Sequence, residues 1–119
     1  MGKDSTTAFV LGGGGRLGAA EVGMLAALLD AGIVPDLVLG TSIGAINGVA
    51  IADDPTAAGV ERLRSLWSEV ERSGMFGGSF VDRVRHIAAT RTSLHSNEPL
   101  RRLLDHVVGG RRIEDLPVR

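Results

Sequence analysis

Leu37-Val38-Leu39-Gly40-Thr41-Ser42-Ile43-Gly44 decides the reading of this chain: a short apolar run ends in a glycine-flanked serine that opens a new apolar segment. This is the G-x-S-x-G form of a nucleophile elbow, in which a serine sits on a strained strand-to-helix turn with its oxygen exposed. Small residues are needed at Gly40 and Gly44 because the strand and helix backbones come close around Ser42, where a Cβ would collide. The helix that follows adds its positive N-terminal end to the same place. One βα unit earlier, Gly12-Gly13-Gly14-Gly15-Arg16-Leu17-Gly18 follows the apolar run Ala8-Phe9-Val10-Leu11. A serine hydroxyl is a weak nucleophile, so acyl transfer needs a base within reach and donors aimed at the developing oxyanion. The first glycine turn can supply such donors as backbone amides. Read as one site, the two turns imply a serine hydrolase and leave open the group that activates Ser42.

Working outward, Thr7 to Leu11 reads as a buried strand, polar on one side and glycine-bounded on the other. A helix is expected from about Gly18 to Ala31, with Val22, Leu25, Ala26, Leu28 and Leu29 at helical spacing and Gly32 as its stop. Pro35 and Asp36 introduce the second strand, and a helix after Ser42 runs through Ala45, Ile46, Val49 and Ala50. Asp54-Pro55 reads as a helix start with Asp54 as cap, and Val60, Leu63, Leu66, Trp67 and Val70 mark one face through Arg72. Residues 73–79 form a glycine-bearing connection. Phe80 to Thr90 reads as a further helix, and Asn97 as the cap of a last one carrying Leu100, Leu103, Leu104 and Val107. Leu116-Pro117-Val118 reads as the approach to another strand. The order β-α-β-α predicts an α/β fold with a central, mostly parallel sheet flanked by helices.

At 119 residues, 44% hydrophobic and 23% charged, the chain has room for one core. The formal net charge of −1 does not favour nucleic acid, although all but one of the 13 basic residues are arginine. The absence of cysteine excludes a disulfide framework and thiolate metal sites and suits a reducing compartment. The early apolar run is too short for a signal-peptide core or a membrane span. Met1-Gly2 with Thr6 fits only the loose pattern for N-myristoylation. These features lead to the expectation of a soluble, cytoplasmic protein.

The same residues carry patterns of other chemistries. Gly13, Gly15 and Gly18 also spell G-x-G-x-x-G, the dinucleotide-binding arrangement, but the acidic residue expected at the end of the second strand is replaced by Gly40 and Thr41. The loop lacks the Gly-Lys-Ser/Thr ending of a P-loop. No histidine pair has metal-ligand spacing, so neither a metal nor a cofactor is expected. Ser42, Asp82 and then His95 or His106 follow the order of a Ser-Asp-His triad, but only one strand precedes the elbow strand here. Asp53 and Asp54 lie about 16 Å along the helix from Ser42 at 1.5 Å per residue, at its wrong end. Asp82, Asp105 and Asp115 read as solvated charge, and His86 and His106 as polar positions on amphipathic helices. The apolar stripe around Trp67 reads as core rather than a lipid-facing patch, and Arg83, Arg85 and Arg91 as a solvated basic face with a lesser claim to lipid contact.

The run from Phe9 to Met24, followed by Pro35 to Asn47, resembles the start of a patatin-like phospholipase domain. The likeness is close from Phe9 to about Ala52 and looser to Val118, which makes 1–119 the N-terminal portion of a single such domain with a three-layer fold. By this resemblance Gly13, Gly14 and Gly15 form the oxyanion hole, Ser42 is acylated, and the base is one aspartate in a later Asp-Gly-Gly or Asp-Gly-Ala motif. The substrate it implies is a lipid or other acyl ester, with peripheral membrane contact. Two departures stand out. Leu17 occupies the position before the last loop glycine where the family often has a basic residue, with Arg16 one place earlier, and the chain contains no Asp-Gly dipeptide. The expectation is a Ser-Asp hydrolase whose aspartate lies beyond Arg119, so that this chain alone has little esterase activity. A non-catalytic interaction module pairing its open sheet with another chain, and a nucleotide-binding module, are the alternatives.

Overall fold

The computed structural model describes residues 5–74 and 98–119. Two parallel strands, β1 (Ala8–Leu11) and β2 (Leu37–Gly40), pair in the register Ala8 with Leu37 through Leu11 with Gly40. Between them runs α1 (Gly18–Asp30), closed by Gly32, whose φ of 75° and N–H hydrogen bond to the Leu29 carbonyl end the helix where the sequence placed its stop. After β2 come α2 (Ile43–Asp53), α3 (Ala57–Arg72) and α4 (Glu98–Val108). The chain is therefore α/β, a parallel sheet flanked by helices, as expected. The expected helix from Phe80 to Thr90 and the Asn97 cap lie outside the described residues.

Strand alternation sorts the sheet into two faces. Phe9 is buried with Val22, Leu25, Ile51, Val60 and Leu63, while Leu11 and Val38 pack on this core from the same face. A second cluster, Ile43, Ile46, Val70 and Leu103, joins α2 to α3 and α4. The strand β1 was expected to be buried throughout. Instead Val10 is 72% exposed and its register partner Leu39 51% exposed, because the described helices pack on the Phe9 face.

The edges of β2 differ in the same alternating way. The Leu37 and Thr41 amides donate toward β1, to the carbonyls of Thr7 (3.3 Å) and Leu11 (3.1 Å), whereas the Val38 amide donates to the Arg119 carbonyl at 2.7 Å. The Val118 amide is anchored on the Ala52 carbonyl at 3.1 Å. The expected strand approach at Leu116 to Val118 thus brings backbone to the second edge of β2, after a 3-10 turn over Ile113–Asp115.

One boundary needs correction. The cap of α3 is Thr56, not Asp54: Thr56 is extended, at φ −127° and ψ 170°, and its side chain accepts from the Gly59 amide. The Asp54 carboxylate is already engaged, accepting from the Thr56 hydroxyl at 2.6 Å and from Arg62. Two oxygen-bearing candidates two residues apart competed for one helix end, and the one nearer the first free amide took it.

Candidate active site

Ser42 stands between β2 and α2 with φ 55° and ψ −123°, and is the one non-glycine residue at positive φ among the described residues. A side chain rarely tolerates this backbone, at a cost of about 1–3 kcal/mol, and such strain is retained where the surrounding structure over-determines it. The constraint is visible on both sides. The Thr41 amide is tied to the Leu11 carbonyl at 3.1 Å, and the Gly44 and Ala45 amides close the first turn on the Thr41 and Ser42 carbonyls at 2.9 Å each. A Cβ on Gly44 would fall 2.6 Å from the Gly12 oxygen, and one on Gly40 would fall 2.6 Å from the Ala45 Cα. Backbone, not flexible side chain, fills both spaces, so glycine lets β1, β2 and α2 converge at the bend. Ser42 is exposed, and no described residue hydrogen-bonds its hydroxyl.

The glycine loop leaves β1 beside this bend. A Cβ built on Gly13 would lie 3.4 Å from the Ser42 Cβ and 3.5 Å from the Thr41 oxygen. Gly14 (φ 154°) and Gly15 (φ 57°) then turn the chain into a 3-10 turn over Gly15–Leu17, closed by the Leu17 amide on the Gly14 carbonyl at 3.1 Å. Both φ values lie where only glycine is at ease. No described residue accepts a hydrogen bond from the Gly13 or Gly14 amide. Gly18, the loop's last glycine, opens α1 and is buried against Ile43 and Trp67.

No described carboxylate is hydrogen-bonded to the Ser42 hydroxyl. Asp53 and Asp54 sit at the far end of α2, Asp53 paired with Arg111 at 2.7 Å and Asp54 with Arg62. The hydrogen bond from the Thr56 hydroxyl holds the Asp54 carboxyl below the usual aspartate range; partial burial opposes this, and the Arg62 bond and charge reinforce it. Asp36 accepts from the Thr7 amide at 2.8 Å, at the opposite end of the strands. Asp105 and His106 lie on α4, and Asp115 in the second 3-10 turn. Asp82, His86 and His95, and with them the arginines at 83, 85 and 91, lie outside the described residues. Among the described residues no cluster could hold a metal ion, and no helix is long and apolar enough to cross a membrane.

Sequence reasoning did not single out Asn47. It is fully buried on α2, at 0% exposure, one turn beyond Ser42. Its Nδ2 donates to the Gly18 carbonyl at 2.9 Å and to Glu21 Oε2 at 2.8 Å, and its Oδ1 accepts from Trp67 Nε1 at 2.9 Å. Trp67 is therefore part of the packed interior, as its stripe suggested. The signal for Asn47 was available: one amide in the otherwise apolar run from Ile43 to Ala52, at a position facing the core.

A family profile described as patatin-like phospholipase matches residues 9–119. The chain is 33% identical over 112 residues, 94% of its length, to mouse patatin-like phospholipase domain-containing protein 6. It is 34% identical over 109 residues, 92% of its length, to rat patatin-like phospholipase domain-containing protein 7. To neuropathy target esterase sws of Drosophila sechellia it is 47% identical over 60 residues, 50% of its length. The chain spans 8% of the length of the first two relatives and 4% of the third. No solved structure matches.

Proposed function

This chain belongs to the patatin-like phospholipase family, and on that footing we propose that it supplies the nucleophile and oxyanion part of a serine hydrolase that cleaves acyl esters of lipids. The Ser42 Oγ attacks the ester carbonyl while its proton passes to an aspartate. The carbonyl oxygen becomes an oxyanion that accepts hydrogen bonds from the amides of Gly13, Gly14 and Gly15 beside the positive end of α2. Collapse breaks the ester C–O bond, the alcohol leaves with the proton, and water then hydrolyses the acyl-serine by the same route in reverse.

The observation that carries this reading is the strained, exposed Ser42 at φ 55°, with Gly13 so near that a Cβ on it would lie 3.4 Å from the Ser42 Cβ. Names of the relatives, phospholipase and esterase, support the substrate class. The base in this reading is the aspartate of the Asp-Gly motif that the family resemblance implies; residues 1–119 have no Asp-Gly dipeptide, and Asp53 and Asp54 are engaged at the far end of α2. The protein works in the cytoplasm and meets its substrate at a membrane surface. Hydrolysis of p-nitrophenyl butyrate and of a dispersed phospholipid by the complete domain tests the reading, with Ser42→Ala as control. Loss of both activities in the variant is expected, and retention of either would overturn it. Rapid, Ser42-dependent hydrolysis by residues 1–119 alone would overturn the placement of the base.

One feature favours a second reading, a segment that binds a partner without catalysis. Val10 and Leu39 face each other across the strands and expose 72% and 51% of their surface. A cooperatively folding monomer in light scattering argues against this reading, and a concentration-dependent dimer supports it.

A further inference from the structure

We infer that Asn47 is a positioning residue that clamps the glycine loop to the elbow helix, so that the oxyanion amides and Ser42 are held in one register. The case begins with what a buried amide can do. An asparagine side chain offers two N–H donors and one carbonyl acceptor, and a buried one is costly unless these are used. Asn47 uses every one: both protons go to Gly18 and Glu21, and the oxygen receives the Trp67 N–H. Indole only donates and a backbone carbonyl only accepts, so the partners fix which way round the amide sits.

The Gly18 bond matters most, because Gly18 is where the glycine loop ends and α1 begins. The loop is held at its other end by continuity with β1, and between these ends Gly13, Gly14 and Gly15 have no side chain to pack. Asn47 fastens the loose end to the same helix whose first residue follows Ser42, four positions earlier along one helical face. Contact reinforces the bond: a Cβ on Gly18 would meet Ile43 Cγ1 and Trp67 Cζ2 at 2.8 Å each, so loop, elbow helix and α3 are wedged together at this point. Glu21 in the first turn of α1 and Trp67 on α3 hold the amide in orientation. Displacing the loop by 1 Å relative to Ser42 would cost on the order of a hundredfold in rate.

The kinetic half of this inference rests on Ser42 as the nucleophile; the clamp itself does not. The direct test is backbone order in the full chain by NMR relaxation. In Asn47→Asp, which keeps the shape but loses both donors, order parameters from Gly13 to Gly18 are expected to fall below about 0.6 while β1 and α3 stay near 0.85. Unchanged loop order, or an equal fall everywhere, would overturn the clamp. Trp67→Phe is the gentler variant if the first does not fold; it removes only the N–H and is expected to loosen the loop less, and no loosening would count against the inference. The double variant Asn47→Asp with Glu21→Gln rebuilds the bond between those two side chains with its polarity reversed, but leaves the Gly18 carbonyl without a donor. Its loop is expected to stay loose, and full restoration of order would show that the Gly18 bond is not the clamp. In the complete domain, Asn47→Asp is expected to lower kcat at least tenfold with KM unchanged, and a rise in KM alone would contradict a positioning role. If Ser42→Ala retains hydrolysis, the nucleophile reading falls while the order parameters still decide the clamp.

Discussion

The two ends of α2 obey opposite rules. At its start, Ser42 is strained and exposed, glycines on three segments admit backbone contact, and no described residue accepts from the Gly13 and Gly14 amides. At its finish, Asp53 is paired with Arg111, Asp54 with Arg62 and the Thr56 hydroxyl, and Thr56 caps the next helix. One end spends conformational energy to present a group to solvent, while the other satisfies its polar groups within the chain. The lesson is that one helix can join an end whose polar groups are satisfied within the chain to an end where backbone strain coincides with amides that no described residue engages, and it is at this second end that the proposed site lies.

The sharpest way to break this contrast is a single methyl group. Gly44→Ala puts a Cβ against the Leu11 and Gly12 carbonyls, and since backbone cannot move aside as a side chain does, a loss at or above about 3 kcal/mol is expected. Gly23→Ala, in the exposed interior of α1 with nothing within 4 Å, is expected to gain about 0.5–1 kcal/mol instead. Chemical denaturation of both variants checks this, and similar midpoints would deny that the elbow is crowded.

A smaller effect reads the strain itself. Ser42→Gly and Ser42→Ala both remove the hydroxyl, but only glycine relieves the positive φ, so Ser42→Gly is expected to be the more stable by about 1 kcal/mol. Equal thermal midpoints would mean that the bend stores no strain.

The smallest effect belongs to the satisfied end. Because the Asp54 carboxyl is held below its ordinary range, its charged form stabilises the fold at pH values above about 4, and that contribution fades as acid protonates it. Asp54→Asn is expected to cost less than about 1 kcal/mol near neutrality, given how exposed Arg62 is, and the difference from the parent should shrink below pH 4. A gap that widens in acid would contradict the sign.

Much of this contrast was legible in the sequence, and the reasons are local. The register of strand, glycine turn and helix from Ala8 to Asp53 follows from apolar runs interrupted by residues with special backbone freedom, and the elbow carries its own pattern. The Thr56 cap was missed because Asp54-Pro55 satisfies the same short-range rule two residues earlier, and only the partners of Asp54 show it to be occupied. Asn47 was missed because its three partners come from segments 20 to 29 residues away in the chain. The bare face of Val10 and Leu39 was missed because alternation says that a strand has two faces without saying what covers each.

The central claim, that Ser42 and the glycine loop form one acyl-transfer site, is tested most directly by reacting the complete domain with a fluorophosphonate and solving the structure of the product. The account predicts a single adduct on Ser42 Oγ, its phosphonyl oxygen within hydrogen-bond distance of amides from Gly13 to Gly15. An adduct on another residue, or on Ser42 with that oxygen turned away from the loop, would contradict it.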